Sequence, residues 1–450
     1  MRILIITTYY PPDTAIAAVR PYMLAKHLSS FGHKVTVIRS GMINKVIDSY
    51  YPPLADVEVI SYLGQESDAE KYERGEIDKN SIKISSESRI AFLPGPVREV
   101  VSKAYHRIKR PIKYFDTKAA SNNRLVLLKE TINKLKEKGY AYDIVFSTYG
   151  ELENAYAGEY AALAFNSKWI MDFRDPIALK SEQSLWQYAL CKREQDRLIQ
   201  KADCCTAISD DLFRTKGERN KKIKTLYNGY EDNTDIHTGK PYKSNLDPDD
   251  RDRVLSICYT GQLYGKRFDA AKVFIEAISI LIKKNTICRN NVRLYYAGAD
   301  SAGLLEIMKN YKVEDLLIDY GYLKKEEVFE LQNKADVFLL FSWNTKYEKG
   351  VLTGKFYEGL RAAKPILTII SGNVPNSELY RLNERYKYGY CCESVKENAI
   401  DNLCDYIESI YLEKMNNGEV KNTTNKEMYS LFNYKNIAER FERIAKEMLH

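Results

Sequence analysis

The chain has 450 residues, enough for two domains of ordinary size, each with its own core. Its formal charge of +7 and pI near 8.7 fall short of a dedicated nucleic-acid binder, and no apolar run approaches the length that spans a bilayer. Its eight cysteines (Cys191, Cys204, Cys205, Cys258, Cys288, Cys391, Cys392, Cys404) show no paired CxxC spacing and no nearby His, which reads as free thiols in a reducing, cytoplasmic compartment.

Met1 to Tyr10 has one basic residue and an apolar run too short for a signal peptide, and it reads as a first strand. Arg2 to Tyr9, a helix from Val19 to Gly32 and a strand from Lys34 to Ile38 give a βαβ opening of a parallel sheet. The loop between them lacks G-x-G-x-x-G, which argues against an NAD enzyme, and Arg20 is a candidate for an anionic acceptor. From Ser61 to about Lys118 the periodicity breaks down. A basic run there (Arg98, Lys103, Arg107, Lys109, Arg110, Lys113) suits either a solvated surface insertion or peripheral contact with an anionic membrane.

Alternation resumes with helices at Arg124 to Lys138, Asn154 to Phe165 and Ser184 to Lys201, and strands at Asp143 to Ser147, Lys168 to Phe173, Cys204 to Ile208 and Ile223 to Tyr227. Ser209 reads as a helix cap with Asp210 and Asp211 in the first turn, and Asn228-Gly229 as a turn. Polar residues 232–253, with Pro241 and Pro248, form the linker between an N-terminal domain over 1–231 and a C-terminal domain over 254–435. The second domain alternates strands at Val254, Val292, Leu316, Val337 and Ile366 with helices, and a helix in 436–450 is placed to cross back to the first domain.

The stretch Glu348 to Leu367 (EKGVLTGKFYEGLRAAKPIL) joins a glycine-bearing loop, a helix carrying Phe356, Leu360 and Ala363 on one face, and an apolar strand opened by Pro365. Thr353 is placed to cap that helix. Free amides over Val351, Leu352 and Thr353, with Gly350 and Gly354 allowing close backbone approach, suit phosphate oxygens. Glu358, one turn inside, suits the two hydroxyls of a ribose. An amphipathic helix with a solvated Glu fits the same residues.

This stretch resembles the donor-nucleotide element of family 4 glycosyltransferases, whose pattern is Glu, seven residues, Glu, then an exit such as Gly-Lys-Pro. Glu358 matches the second Glu and Ala363-Lys364-Pro365 the exit, while Gly350 stands at the first Glu and Glu348 lies two residues earlier. Asp172 to Pro176, Ala202 to Ser209, Asn228-Gly229 and Tyr259 to Gly261 resemble further signatures, so that the likeness spans most of the chain outside Ser61 to Lys118. In the family an Arg, four residues and a Lys then bind the diphosphate. Here Gln262 stands for the Arg and Arg267 for the Lys, with Lys266 beside it, and Leu323 matches the loop that meets the base through its backbone.

The resemblance implies an α/β chain of the GT-B fold, two doubly wound Rossmann-like domains facing a central cleft. It implies retaining transfer of a hexosyl or N-acetylhexosaminyl group from a nucleotide diphosphate sugar, a UDP-sugar being favoured, to a saccharide or lipid-linked saccharide in bacterial surface-polysaccharide synthesis. Fixed cations near the leaving diphosphate, Arg267 above all, lower that barrier. Asp175 would position or deprotonate the acceptor hydroxyl, its structural alternative being a pair with Arg174. D-x-x-D differs from a D-x-D metal clamp and no His cluster offers ligands, so neither a metal nor a cofactor beyond the donor is expected. An epimerase of the same fold and a non-catalytic nucleotide-sugar-binding partner are the alternatives.

Overall fold

In the computed structural model the described residues are 1–13, 15–41, 51–63, 123–213, 222–231 and 253–449. Most of the expected basic insertion, including Arg98 to Lys113, and of the linker over 232–253 lies outside them. The chain divides into two compact units, the described residues of Met1–Ala207, Asn220–Leu226 and Ala438–His450 in one, and those of Ile208–Arg219 and Tyr227–Ile437 in the other.

The first unit holds β1 (Arg2–Ile6), α1 (Ile16–Ser30), β2 (Lys34–Arg39), β3 (Val57–Ser61), α2 (123–137), β4 (Ile144–Tyr149), α3 (Leu152–Phe165), β5 (Lys168–Phe173), α4 (Leu185–Lys201), β6 (Cys204–Ala207) and β7 (Ile223–Thr225). Its strands form a parallel sheet in the order β3-β2-β1-β4-β5-β6-β7. Ile3 to Ile6 and Ile144 to Phe146 are fully buried, which is why these strands are continuous apolar runs. β3 was not expected from the sequence, because Glu58 interrupts its short apolar run and only Val57 is buried.

The second unit holds β8 (Leu255–Thr260), α5 (Arg267–Lys283), β9 (Val292–Ala297), α6 (Ala302–Asn310), β10 (Leu317–Asp319), α7 (Lys325–Lys334), β11 (Val337–Asn344), α8 (Gly354–Arg361), β12 (Ile366–Gly372), α9 (Glu378–Tyr386), β13 (Gly389–Glu393), α10 (Ala399–Asn417) and α11 (Lys426–Phe432). The sheet order is β10-β9-β8-β11-β12-β13, again parallel. A last helix, α12 (Tyr434–Leu449), contributes its residues from Ala438 onward to the first unit. There Phe441 meets Phe146 edge-on at 5.2 Å and Glu442 pairs with His33 at 2.9 Å.

Two local expectations are corrected. Asn228-Gly229 makes no tight turn. Tyr230 bridges in parallel to Asn433, and a β-carbon on Gly229 would fall 2.2 Å from the Phe432 carbonyl, so the glycine serves close approach of two backbones. Nor do Asp210 and Asp211 start a helix. Through Phe213 the segment is a turn, and both amides donate to the Glu378 carboxylate, at 2.9 and 3.1 Å.

Candidate active site

In the second sheet the chain runs outward from β8 through β9 to β10, then returns to pair β11 on the other flank of β8. Strand order therefore reverses between β8 and β11. In open parallel sheets a crevice forms there beyond the carboxyl ends, and the segments bounding it are 261–266 and 345–353.

The first of these starts at Gly261, whose φ of +118° suits glycine and whose N–H donates to the Ala297 carbonyl at 2.7 Å. A β-carbon at 261 would lie 2.6 Å from Cε of Lys355, so the lysine stem occupies the space that glycine leaves. Arg267 opens α5. Its guanidinium lies 4.3 Å over the Tyr264 ring and 5.9 Å from that of Trp343, one NH2 group donates to the Gln262 carbonyl at 3.0 Å, and Nε is buried without a partner. A cation at the positive end of a helix is disfavoured by the dipole and gains most from an anion placed between them. Lys266, just before Arg267, bonds Glu348 through Nζ at 2.6 Å.

Glu348 also accepts from Trp343 Nε1 at 2.5 Å. Gly350 then has a left-handed φ of +68°, and a β-carbon there would also strike Ser209 Oγ at 2.2 Å and the Leu212 nitrogen at 3.0 Å. The expected row of free amides is partly consumed: Leu352 N–H donates to the Gly350 carbonyl at 2.9 Å, while the Val351 carbonyl accepts from Ser342 Oγ at 3.1 Å. Thr353 stands at the N-cap of α8, but its hydroxyl makes no capping bond and is buried without a partner. Ser209 Oγ and Asn344 Oδ1 are likewise buried and unsatisfied, and such atoms are uncommon away from ligand or solvent sites.

Helix α8 is fixed by Phe356, which is fully buried with edge-on contacts to Tyr388 at 5.5 Å and Phe432 at 5.3 Å. Gly359 brings the helix close enough that a β-carbon would touch Ile366 and Phe338, both at 2.9 Å. Ala363, expected on the apolar face, is exposed with a φ of +52°, past the helix end where the resembling family carries glycine.

On the opposite face Glu358 Oε1 accepts from Lys355 at 2.9 Å, while Oε2 takes Lys355 at 3.0 Å, Gln332 Nε2 at 2.8 Å and a long contact from Thr260 Oγ1 at 3.5 Å. The carboxylate stays about a quarter exposed, at 25%, and Oε1 keeps an open lone pair. Gln332 is itself held by Arg361 at 2.7 Å. Beside this group burial, and then the Arg361 charge, push the Lys325 ammonium down to about 8. Leu323 packs with Tyr295 and Tyr320 on the small cluster around Cys258 and Ala297.

No family model matches the chain, and no curated protein matches it in sequence. Solved structures do match. Sucrose-phosphate synthase from Thermosynechococcus elongatus is 11% identical, with a TM-score of 0.59 over 100% of this chain and 99% of its own. The apo lipopolysaccharide outer core galactosyltransferase WaaB is 14% identical, with 0.53 over 99% of each chain. The catalytic domain of starch synthase IV from Arabidopsis thaliana, bound to ADP and acarbose, is 11% identical, with 0.52 over 100% and 99%. The chain has the GT-B fold, two doubly wound parallel-sheet domains.

In the first unit Asp175 lies just past β5, exposed. Arg174, its alternative partner, donates to the Ala17 carbonyl at 3.4 Å. Arg20 is not available to an acceptor anion. It is 2% exposed and makes a two-bond fork with Asp172 at 2.9 and 2.8 Å, with a further bond to the Leu226 carbonyl. Thr148 and Thr206 saturate the same carboxylate.

Sequence reasoning missed Glu151. This sheet reverses order between β1 and β4, and Glu151 stands just past β4, its carboxyl pushed above the ordinary range by burial and then by Glu153. It also missed Lys355 and Gln332. The available signal for Lys355 was its spacing of three from Glu358 on the helix.

Proposed function

We propose that this protein is a glycosyltransferase that moves a sugar from a nucleotide diphosphate sugar, with a UDP-sugar favoured, to a saccharide or lipid-linked saccharide, with retention at the anomeric carbon. One observation carries the reading. The glycine turn after β8, the Arg267 guanidinium and the Glu358 carboxylate are carried by the segments that follow β8 and β11, the two strands at the switch point of one sheet, in the sequence order that the resemblance assigns to diphosphate and ribose.

In this reading the diphosphate lies between the Gly261 turn and the start of α8. Arg267 faces the charge that grows on the leaving oxygen, and fixed charges aimed at developing charge contribute several kcal/mol in a site shielded from water. Glu358 Oε1 accepts from a ribose hydroxyl, and Leu323 borders the base. Lys266 and Glu348 brace each other and line the sugar side. Asp175 or Glu151 takes the acceptor proton, with the raised carboxyl of Glu151 closer to the operating pH. That WaaB is named a galactosyltransferase of the lipopolysaccharide outer core supports a surface-polysaccharide setting.

Among the described residues no helix is long and apolar enough to cross a membrane, and no group of three His, Cys, Asp or Glu is placed to hold a metal ion. Peripheral contact with anionic lipid stays a proposal about residues 98–113.

A thermal-shift panel of UDP, GDP, ADP and dTDP sugars tests the reading. A ligand at one hundred times its dissociation constant adds about 2.7 kcal/mol, so one base series should raise the melting temperature. No shift with any of them overturns it. Conversion of a bound nucleotide sugar to its epimer without acceptor replaces transfer by epimerisation, and binding without either reaction leaves a regulatory partner.

A further inference from the structure

Glu378 is a glutamate with 4% exposure at the first residue of α9, and the function just proposed gives it no task. Its carboxylate accepts three bonds, from the amides of Asp210 at 2.9 Å and Asp211 at 3.1 Å and from Tyr227 Oη at 3.0 Å. Arg381, one turn along α9, bonds the Asp211 carboxylate at 2.7 Å. The helix start is fixed in its turn by Glu393, which accepts from the amides of Asn376 at 2.8 Å and Ser377 at 2.7 Å. One helix end thus grips the turn over 208–213 at three points.

The far side of that turn is the floor under Gly350. Ser209 Oγ and the Leu212 nitrogen lie where a side chain at 350 would start, and Ser209 is 2% exposed with its hydroxyl unsatisfied. Gly350 is thus packed directly on this turn, just ahead of the backbone leading to Val351 and Thr353.

We propose that Glu378 is a positioning residue for the donor site, which sets the path of residues 349–353 by holding the turn on which Gly350 lies. The donor assignment of that loop rests on the function proposed above, whereas the mechanical coupling does not.

Titration gives a readout that packing alone would not. Burial, opposed by the two amide bonds and reinforced by Asp210 and Asp211, pushes the Glu378 carboxyl up to about 7. The groups facing it are Asp210, Asp211 and Tyr227, with Arg381 neutralising Asp211. A raised carboxyl means that opening the turn releases a proton, so opening becomes easier as pH rises through 7. For a group that returns to about 4.3 when exposed, the opening equilibrium grows about tenfold from pH 6 to pH 8.

The test is amide hydrogen exchange of the ligand-free protein and of Glu378→Ala, read on peptides covering 207–213 and 346–358, with β4 as reference and intrinsic rates divided out. The expected result is about tenfold faster exchange of both peptides in the variant at pH 6. In the parent, protection of both should fall about tenfold from pH 6 to pH 8, and in the variant it should not. Loosening of 207–213 with 346–358 unmoved overturns the coupling, and so does no change in either. Should the variant fail to fold, the parent's pH series decides alone. Titration of the nucleotide sugar chosen by the thermal panel separates the two readings: coupled exchange with donor affinity about tenfold weaker supports both, while coupled exchange with no donor bound by the parent keeps the coupling and removes the donor site.

Discussion

Lys355 bonds both oxygens of Glu358, at 2.9 and 3.0 Å, while its Cε lies 2.6 Å from where a side chain on Gly261 would begin. The turn after β8 and the helix after β11 are thus joined through one lysine. The glycine does two jobs, supplying a φ of +118° and leaving room for the ammonium stem.

Gly261→Ala should disturb both. The backbone conformation alone costs about 1 to 3 kcal/mol for a residue with a β-carbon, and the methyl displaces Lys355. A lower melting temperature and weaker binding of the nucleotide sugar are expected together, measured by calorimetry. An unchanged melting temperature would mean that the turn relaxes and that the glycine is not required.

Arg267→Ala should slow turnover by a factor of roughly 10² to 10³, the scale seen when one stabilising donor is removed, and leave nucleoside affinity nearly intact. Arg267→Lys keeps the charge but gives up the planar stacking on Tyr264, and should fall between the two. Steady-state kinetics with titration of the diphosphate and the free nucleoside checks this. Equal loss of affinity for both, with turnover unchanged, would assign Arg267 to binding only.

Much of the sheet architecture was legible because parallel strands buried on both faces must be apolar, as in Ile3 to Ile6 or Val337 to Phe341. Glu358 was singled out by its motif alone, and the structure sets its carboxylate against Gln332 and near Thr260 at the end of β8. Arg20 was not, because its partner Asp172 is 152 positions away and periodicity says nothing about such pairings. Gln332 is fully buried on a helix that otherwise reads as polar, and only the packing of α7 shows that it meets Glu358. The cap expected at Ser209 failed for a similar reason: Asp210 and Asp211 satisfy their amides on a distant carboxylate rather than in a helix.

Lys325 gives a pH prediction. Its ammonium titrates near 8 in the folded chain, below its ordinary range, so the unfolded chain holds more protons between about 8 and 10.4. Stability should rise with pH across that window, and the cost of the buried charge is fully present below it. Lys325→Met should raise the melting temperature at pH 7 and flatten the rise from pH 8 to 10. A variant that melts lower at pH 7 would show that the ammonium makes a bond worth more than its burial costs.

Glu358→Gln bears most directly on the donor site. The carboxylate now holds Lys355 and Gln332 and offers its remaining Oε1 lone pair to a ribose hydroxyl. An amide keeps the size but replaces one acceptor with a donor. If the amide oxygen stays with Lys355 and Gln332, its NH2 group faces the diol and leaves a hydroxyl hydrogen unpaired; if it flips, the NH2 faces two cationic or amide donors. Either way one buried polar group is unsatisfied, which costs about 1 to 3 kcal/mol. Nucleoside diphosphate affinity should fall by about 5- to 150-fold, since 1.4 kcal/mol is tenfold. A 2′,3′-dideoxy nucleotide has no hydroxyl to donate, so its affinity should hardly change. The empty protein should melt within a few degrees of the parent, because the Lys355 pair is about a quarter exposed and solvent-accessible pairs are worth about 0 to 1 kcal/mol. A large drop in melting temperature with ribo and dideoxy ligands equally affected would make Glu358 a brace for Lys355 and Gln332, and would move ribose recognition elsewhere.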